Sequence, residues 1–282
     1  MTWLRSTGWR HLIGLATLVF ALFPILFVIS ASLNPSGTLV GSNSLFSQLT
    51  LANYRNLLDD PMHPYAKWFL NTMVIGGLTA VGTVFLGACA AYAFSRFRFR
   101  GRRTGLLTLL LVQMFPQLLA YVAIFLLLLS LKDVFPVLGL GSRLGLVMVY
   151  LGGALGVNTY LMYGFFNTVP REIDESAKID GASHAQIFFG IILRLVAPIL
   201  AVIGLLSFVA TINEFVIASV VLVDPDKQTL AVGMYQFVSQ QFSEHWGVFA
   251  AGAFLGAVPV VLLFQFLQRY IVGGLTAGAV KG

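Results

Sequence analysis

Charged residues are scarce in this sequence: they fill 10% of 282 positions, against about 25% in a soluble domain. With 58% hydrophobic residues, a water-soluble chain of this length could not wet its surface, so lipid must cover the surplus. Disorder is excluded by the same figures, since disordered chains are poor in apolar residues. Cysteine is almost absent as well. Cys89 alone, set inside an apolar run, excludes a disulfide framework and any multi-cysteine metal site. The four histidines, His11, His63, His184 and His245, fall on different segments, which argues against a shared metal or catalytic site. There is no glycine-rich loop ending in Gly-Lys-Ser or Gly-Lys-Thr, no His-Glu-x-x-His and no Gly-x-Ser-x-Gly. No catalytic residue, metal site or nucleotide site is read from the chain, which points away from an enzyme.

Long apolar runs are what the sequence has instead. A membrane-crossing helix needs about 20 mostly apolar residues, because hydrocarbon tolerates only fully hydrogen-bonded backbone. Six stretches meet that length: 11–32, 68–94, 105–131, 144–166, 196–222 and 247–270. The first follows Arg5 and Arg10 but exceeds a signal-peptide apolar core of about 7 to 15 residues, so it reads as an uncleaved anchor. The predicted class is an all-α polytopic membrane protein with six transmembrane helices. Small residues four apart, Gly152 with Gly156 and Gly252 with Gly256, predict close helix approach. Pro24, Pro116, Pro198 and Pro259 each remove a backbone donor in or beside a span and predict local kinks.

The net charge of +6 speaks to orientation rather than to nucleic acid. An inside N-terminus assigns twelve basic residues to the cytoplasm, among them Arg96, Arg98, Arg100, Arg102 and Arg103, and leaves five outside. Both termini are therefore expected in the cytoplasm, with the arginine-rich loop 95–104 beside anionic lipid headgroups. One ionisable side chain, Glu214, lies clearly within a span. Glu214 is about 27 Å beyond Val196 along an ideal helix, in the outer half. No Lys, Arg or His accompanies it, so structural hydrogen bonding or cavity lining, with Asn213 beside it, is favoured over proton coupling.

The inside loop 167–194 concentrates what acid the cytoplasmic side has. Four of the eleven carboxylates, Glu172, Asp174, Glu175 and Asp180, lie within nine residues of it. Pro170 suits a first helical turn, and the acids after it complement the helix dipole. Asp180 and Gly181 end that helix, glycine taking a positive φ without strain. Ser183 with Gln186 has capping-box spacing and starts a second helix. Such a unit serves either as a knob that docks a partner or as a helix lying on the membrane surface.

Residues 175–182, Glu-Ser-Ala-Lys-Ile-Asp-Gly-Ala, resemble the Glu-Ala-Ala loop of binding-protein-dependent ABC import permeases. The resemblance runs over nearly the whole chain and is closest to the shorter, second permease subunit of maltose and maltodextrin importers. Supporting stretches are Leu51-Ala52-Asn53-Tyr54, Gln113-Met114-Phe115-Pro116, residues 229–234 and the C-terminal residues 274–282. Two departures stand out: Ser176 replaces an alanine of the triplet, and Arg194 stands where the family has proline before the fifth span.

What the resemblance implies is a type I importer permease fold. Its domains would be 1–67 (first helix and outer loop), 68–270 (transmembrane core carrying the loop 167–194) and 271–282 (cytoplasmic tail). It implies an ATPase-coupling loop at Glu172, Glu175, Ser176, Ala177, Asp180, Gly181, Ala182 and Ser183. It also implies a tail that touches the ATPases at Thr276, Gly278 and Lys281, and an outer loop that meets a binding protein at Tyr235, Phe237, Gln240 and Gln241. Asn213 and Glu214 are candidate pathway residues, with Tyr160 and Tyr163 conceivable beside them. The implied partners are a second permease, two ATP-binding subunits, an extracytoplasmic sugar-binding protein and membrane lipid, with no nucleic acid. This chain would bind no cofactor, ATP and magnesium being used by the partners, in the cytoplasmic membrane of a bacterium or archaeon. Maltose or maltodextrin is the expected cargo, trehalose or another sugar the alternative. A secondary carrier would call for inverted repeats and a charged relay, and a structural or signalling subunit would not need the loop.

Overall fold

Apolar runs punctuated by proline, glycine and asparagine leave helix as the only regular structure, and the described residues contain no strand. A computed structural model describes residues 7–35, 45–239 and 245–279. In chain order the helices are α1 (Trp9–Ser32), α2 (Ala52–Asp59), α3 (Tyr65–Arg96), α4 (Arg102–Gln113), α5 (Gln117–Val134) and α6 (Arg143–Phe166). Next come α7 (Arg171–Ile179) and α8 (His184–Gln186), which runs through a π-helical stretch Ile187–Ile192 into α9 (Leu193–Leu195). The last are α10 (Ala197–Asn213), α11 (Val216–Val221), α12 (Leu230–Ser239) and α13 (Trp246–Ala279).

Four helices among the described residues are long and apolar enough to cross a membrane: α1, α3, α6 and α13 through Tyr270. The bent pair His184–Leu195 and Ala197–Asn213, angled by 78°, makes a fifth if taken as one span. The third expected span, 105–131, is not one helix. Pro116 has no N–H and sits extended at ψ 111°, so α4 closes on tightened turns, Met114 N–H to Leu111 O and Phe115 N–H to Val112 O, before α5 starts. The fifth expected span also breaks, at Glu214, whose ψ of 120° ends α10 and whose side chain starts α11. Pro24 and Pro259, by contrast, lie within continuous helices.

Two compact units make up the chain, the first containing residues 1–66 and 232–259. In it the Leu51-Ala52-Asn53-Tyr54 stretch closes the end of α1. Asn53 Nδ2 donates to the carbonyls of Ser32 (3.0 Å) and Asn34 (2.9 Å), and Tyr54 Oη pairs with Ser32 Oγ at 2.8 Å. Carbonyls orphaned at the helix terminus are thereby satisfied. Tyr65 Oη donates to Gly252 O at 2.9 Å, and a Cβ on Gly252 would overlap the end of the Met234 side chain, which packs closely against this glycine. The second unit, residues 67–231 and 260–282, holds the main apolar cluster: Ala88, Ala91, Tyr92, Met162, Phe166, Ala177, Ile187, Phe188, Ile192 and Ile203. Large apolar side chains left exposed on α1, α3, α5, α6 and α13, Phe20 at 83% the extreme, form the surface that lipid would cover.

Candidate functional site

Local chemistry builds the segment 167–194 as a helix, a turn and a second helix. Arg171–Ile179 begins directly after Pro170, with Glu172 and Asp174 in its first turn and Lys178 in its last, each charge on the favourable end of the dipole. Gly181 takes φ +82°, and Gly181 N–H and Ala182 N–H close the helix on Lys178 O and Ala177 O. Ser183 then forms a full capping box: Gln186 N–H donates to Ser183 Oγ (3.3 Å), and Ser183 N–H donates to Gln186 Oε1 (2.7 Å).

Two faces of α7 differ sharply. Ile173, Asp174 and Ala177 turn inward, and Ala177 joins the cluster with Ile187, Phe188 and Ile192. Glu172, Glu175, Ser176 and Ile179, spaced as i, i+3, i+4 and i+7, turn outward and are all exposed. Ile179 is 87% exposed, an apolar tip with the exposed acids Glu175 one turn before it and Asp180 next to it. Asp180, Gly181 and Ser183 are exposed beside it, and Ala182 is half-buried. At the exit, Arg194 lies within the short helix Leu193–Leu195 before the 78° bend at Val196, and Pro198 follows in the first turn of α10.

A large groove of about 1210 Å³ opens among α3, α4, α5, α6 and α10 of the second unit. Its walls are mostly apolar, leucine being the commonest residue, with Gln113, Tyr121, Tyr150, Asn158, Thr211 and Glu214 among the polar points. Glu214 is half-buried and fully engaged. Its Oε2 accepts from Tyr150 Oη at 2.5 Å and from Ala218 N–H at 2.9 Å, while Oε1 accepts from Ile217 N–H at 2.8 Å. Glu214 thus lines the groove and is held by three hydrogen bonds. Asn213 is exposed and donates to Val209 O, outside the groove lining. Tyr163 accepts from Arg102 Nη2 at 3.0 Å, and Tyr160 is exposed.

The stretch expected as an outer loop contains α12. Tyr235 is exposed on it, whereas Phe237 is only 5% exposed, its ring 4.8 Å from that of His63. Two residues of helix separate the pair by more than half a turn, so Phe237 faces inward where Tyr235 faces out. His63 Nδ1 is 2.7 Å from Asp60 Oδ2, and Met62 N–H donates to Asp60 Oδ1. Partial burial raises the Asp60 pKa, but these hydrogen bonds outweigh it and hold the carboxyl below its ordinary value. Gln240, Gln241 and Lys281 lie outside the described residues, and Thr276 and Gly278 lie on the last turns of α13.

Arg96, Asp174 and Tyr150 carry no signal in the sequence that singles them out. Local patterns place Arg96 in the arginine-rich loop and Asp174 among the acids of a helix dipole. Their buried ion pair, 2.6 Å between Arg96 Nε and Asp174 Oδ2, joins positions that no local pattern connects.

Residues 83–276 match the family described as binding-protein-dependent transport system inner membrane component. The chain belongs to this family. The permease is 39% identical over 266 residues to the galactooligosaccharides transport system permease protein GanQ of Bacillus subtilis, covering 94% of this chain and 92% of that protein. It is also 39% identical to the maltose/maltodextrin transport system permease protein MalG of Photorhabdus laumondii, over 99% of this chain and 98% of that one. A solved bacterial ABC transporter involved in the import of the acidic polysaccharide alginate shares the fold, with a TM-score of 0.78 at 24% identity over 95% of this permease and 97% of that chain. A second, solved in complex with an alginate pentasaccharide-bound periplasmic protein, superposes with a TM-score of 0.67 at 14% identity over 95% and 96% of the two chains. Its membership makes the permease a multi-pass inner membrane component of a transport system, and the segment 167–194, the groove and Glu214 all fall within the matched residues.

Proposed function

We propose that the chain is one permease half of an ATP-driven importer that brings maltose- or maltodextrin-type oligosaccharides across the cytoplasmic membrane of a bacterium or archaeon. In this reading the chain crosses six times with both termini inside, the third and fifth crossings being made by the broken pairs α4 with α5 and α10 with α11. The exposed stripe Glu172, Glu175, Ser176 and Ile179 is the observation that carries the proposal. An isoleucine held 87% exposed at the tip of a rigid helix, with acid beside it, suits a partner's apolar groove with basic edges. Glu175, Asp180, Gly181, Ala182 and Ser183 complete the knob.

The partner is an ATP-binding subunit, and ATP and magnesium belong to it: this chain contributes no nucleotide site. Closure of two such subunits on ATP moves the knob, and the bundle passes between inward- and outward-facing states because the partner binds one state better. A homologous second permease covers the large groove, so that Glu214 borders a shared pathway, with Asn213 exposed beside it. Tyr235 and the segment containing Phe237, Gln240 and Gln241 meet an extracytoplasmic sugar-binding protein. Thr276, Gly278 and Lys281 reach the ATPases from the tail.

The test is reconstitution with those partners in proteoliposomes. Binding-protein-dependent uptake that needs ATP and is lost when Ile179 is changed to aspartate supports the reading, while ATP-independent uptake by this chain alone would sink it. Galactooligosaccharide import is a second reading, favoured by the equal 39% identity to the two named permeases. Comparing maltodextrins with galactooligosaccharides as stimulators of ATPase activity separates the two.

A further inference from the structure

The inner face of α7 carries a polar network as definite as the outer stripe is bare. Arg96, the last residue of α3, turns its guanidinium into the protein, with Nε 2.6 Å from Asp174 Oδ2 and the two side chains only 6% and 8% exposed. Its Nη2 donates to Val169 O at 3.0 Å. The preceding residue adds two bonds: Ser95 Oγ donates to Asn167 Oδ1 at 2.8 Å, and Ser95 O accepts from Arg171 Nη2 at 3.0 Å. Two residues at the end of α3 thus hold the whole entry to α7, from Asn167 to Asp174. Rings extend the hold to the second helix of the segment, with Tyr92 4.9 Å from Phe188 and Phe97 5.1 Å from His184.

Stability is a poor explanation for this pair. Desolvating two charges cancels most of what their attraction returns, and apolar residues of similar volume often pack as well or better. Here the pair is a close contact of charges and not a hydrogen bond, because Arg96 Nε and Asp174 Oδ1 are both buried with no hydrogen-bond partner among the described residues. The hydrogen bonds around the pair, from Arg96 Nη2 to Val169 O, Ser95 Oγ to Asn167 Oδ1 and Arg171 Nη2 to Ser95 O, supply what an apolar contact cannot, namely a fixed angle and register of the entry to α7 on α3. The exit of the segment is built the other way. Between α9 and α10 the chain turns by 78° at Val196, with a proline in the next turn. Entry is pinned and exit is hinged.

We infer that Arg96 and Asp174 are positioning residues that make α3 the arm driven by movement of α7, while the bend at Val196 lets α10 follow at its own angle. This rests on the docking role of α7 proposed above. A displacement of the knob passes through the ion pair and Val169 O to the end of a 32-residue helix, which reaches the groove at Thr79, near its middle. Without the pair the knob would still dock, but its movement would be dissipated in the loop.

The experiment uses the assembled importer in proteoliposomes and compares the native chain with Asp174→Asn and with the apolar pair Arg96→Met/Asp174→Leu. Three quantities are read: ATPase subunits retained on purification, thermal midpoint, and sugar moved per ATP hydrolysed. The expected result is normal retention of the ATPases with sugar per ATP reduced by about fivefold or more in both variants, the lower end of common coupling between sites. The apolar pair should keep or raise the thermal midpoint. Native coupling in Asp174→Asn would overturn the inference, as would native coupling in the apolar pair, since packing alone would then suffice. Should Asp174→Asn not assemble, the apolar pair decides. If the native chain itself retains no ATPase, the docking reading fails; if it does and the variants stay coupled, only the arm fails.

Discussion

Tyr150 donates a 2.5 Å hydrogen bond to Glu214, 64 residues away, and so ties α6 to the break between α10 and α11. The same carboxylate accepts the backbone N–H groups of Ile217 and Ala218, two of the orphan donors that open α11. A carboxylate with three donors is committed to holding the break.

Removing that commitment should be costly. Tyr150→Phe deletes one hydrogen bond to a charged group, for which about 1.5 to 3 kcal/mol is typical, and Glu214→Ala strands the two amides as well. The thermal midpoint of the purified protein should fall for both and further for Glu214→Ala. An unchanged midpoint in Glu214→Ala would remove the structural role assigned to it.

At Gly181 the obstacle to substitution is the backbone and not space. Its φ is +82° and a Cβ there would meet nothing within 4 Å. The left-handed conformation costs a β-branched residue about 1 to 2 kcal/mol, whereas asparagine tolerates it. On the docking role proposed for this turn, Gly181→Val should therefore weaken retention of the ATPase subunits and lower uptake, with Gly181→Asn close to native. Equal behaviour of the two in a pulldown would show that the turn geometry is unimportant.

The capping box is a separable contribution. Ser183→Ala removes the oxygen that accepts from Gln186 N–H and should cost about 1 kcal/mol. Ser183→Asp keeps an acceptor and should restore most of it. Hydrogen exchange at Gln186 and its neighbours reads the difference directly, faster in the alanine variant.

Gly152 and Gly156 are equals in the sequence but not in the fold. Nothing lies within 4 Å of a Cβ at Gly152, whereas one at Gly156 would overlap Gln113, which donates to Gly153 O. Gly156→Ala is expected to destabilise by about 1 to 3 kcal/mol through overpacking. Gly152→Ala should stay within about 0.5 kcal/mol. Thermal midpoints of the two variants in the same detergent make the comparison, and a reversed order would contradict the α4 to α6 contact.

Acid should loosen the junction between α2 and α3. The folded protein holds Asp60 below its ordinary pKa, so its carboxylate stabilises the fold at any pH above the unfolded value. That contribution is lost as pH falls through the depressed folded value, when His63 and Met62 N–H lose their acceptor charge. Hydrogen exchange at Met62 should rise in that acid range in the native chain and be pH-insensitive there in Asp60→Asn after correction for intrinsic rates. A parallel rise in both would assign the change elsewhere.

How much of the fold is legible in advance depends on distance along the chain. Pro170, Gly181 and the Ser183 with Gln186 spacing act within one or two turns, so the helix, turn and second helix around them can be read directly. Pro116 carries an equally local signal and is read as a kink, but hydropathy over 105–131 still scores one span, because a missing N–H does not say whether a helix bends or breaks. The family resemblance implies an outer loop around Phe237, and α12 instead turns this residue inward against His63.

The sequence by itself determined that the chain is helical and lipid-facing, where the long apolar runs lie, and that a capped helical turn interrupts them at 167–194. Those properties follow from composition and from interactions a few residues apart. Only the tertiary structure decided that Arg96 meets Asp174, that Tyr150 meets Glu214 and that Asn53 closes the end of α1. A buried polar group must find a partner, and which one it finds depends on how whole helices pack.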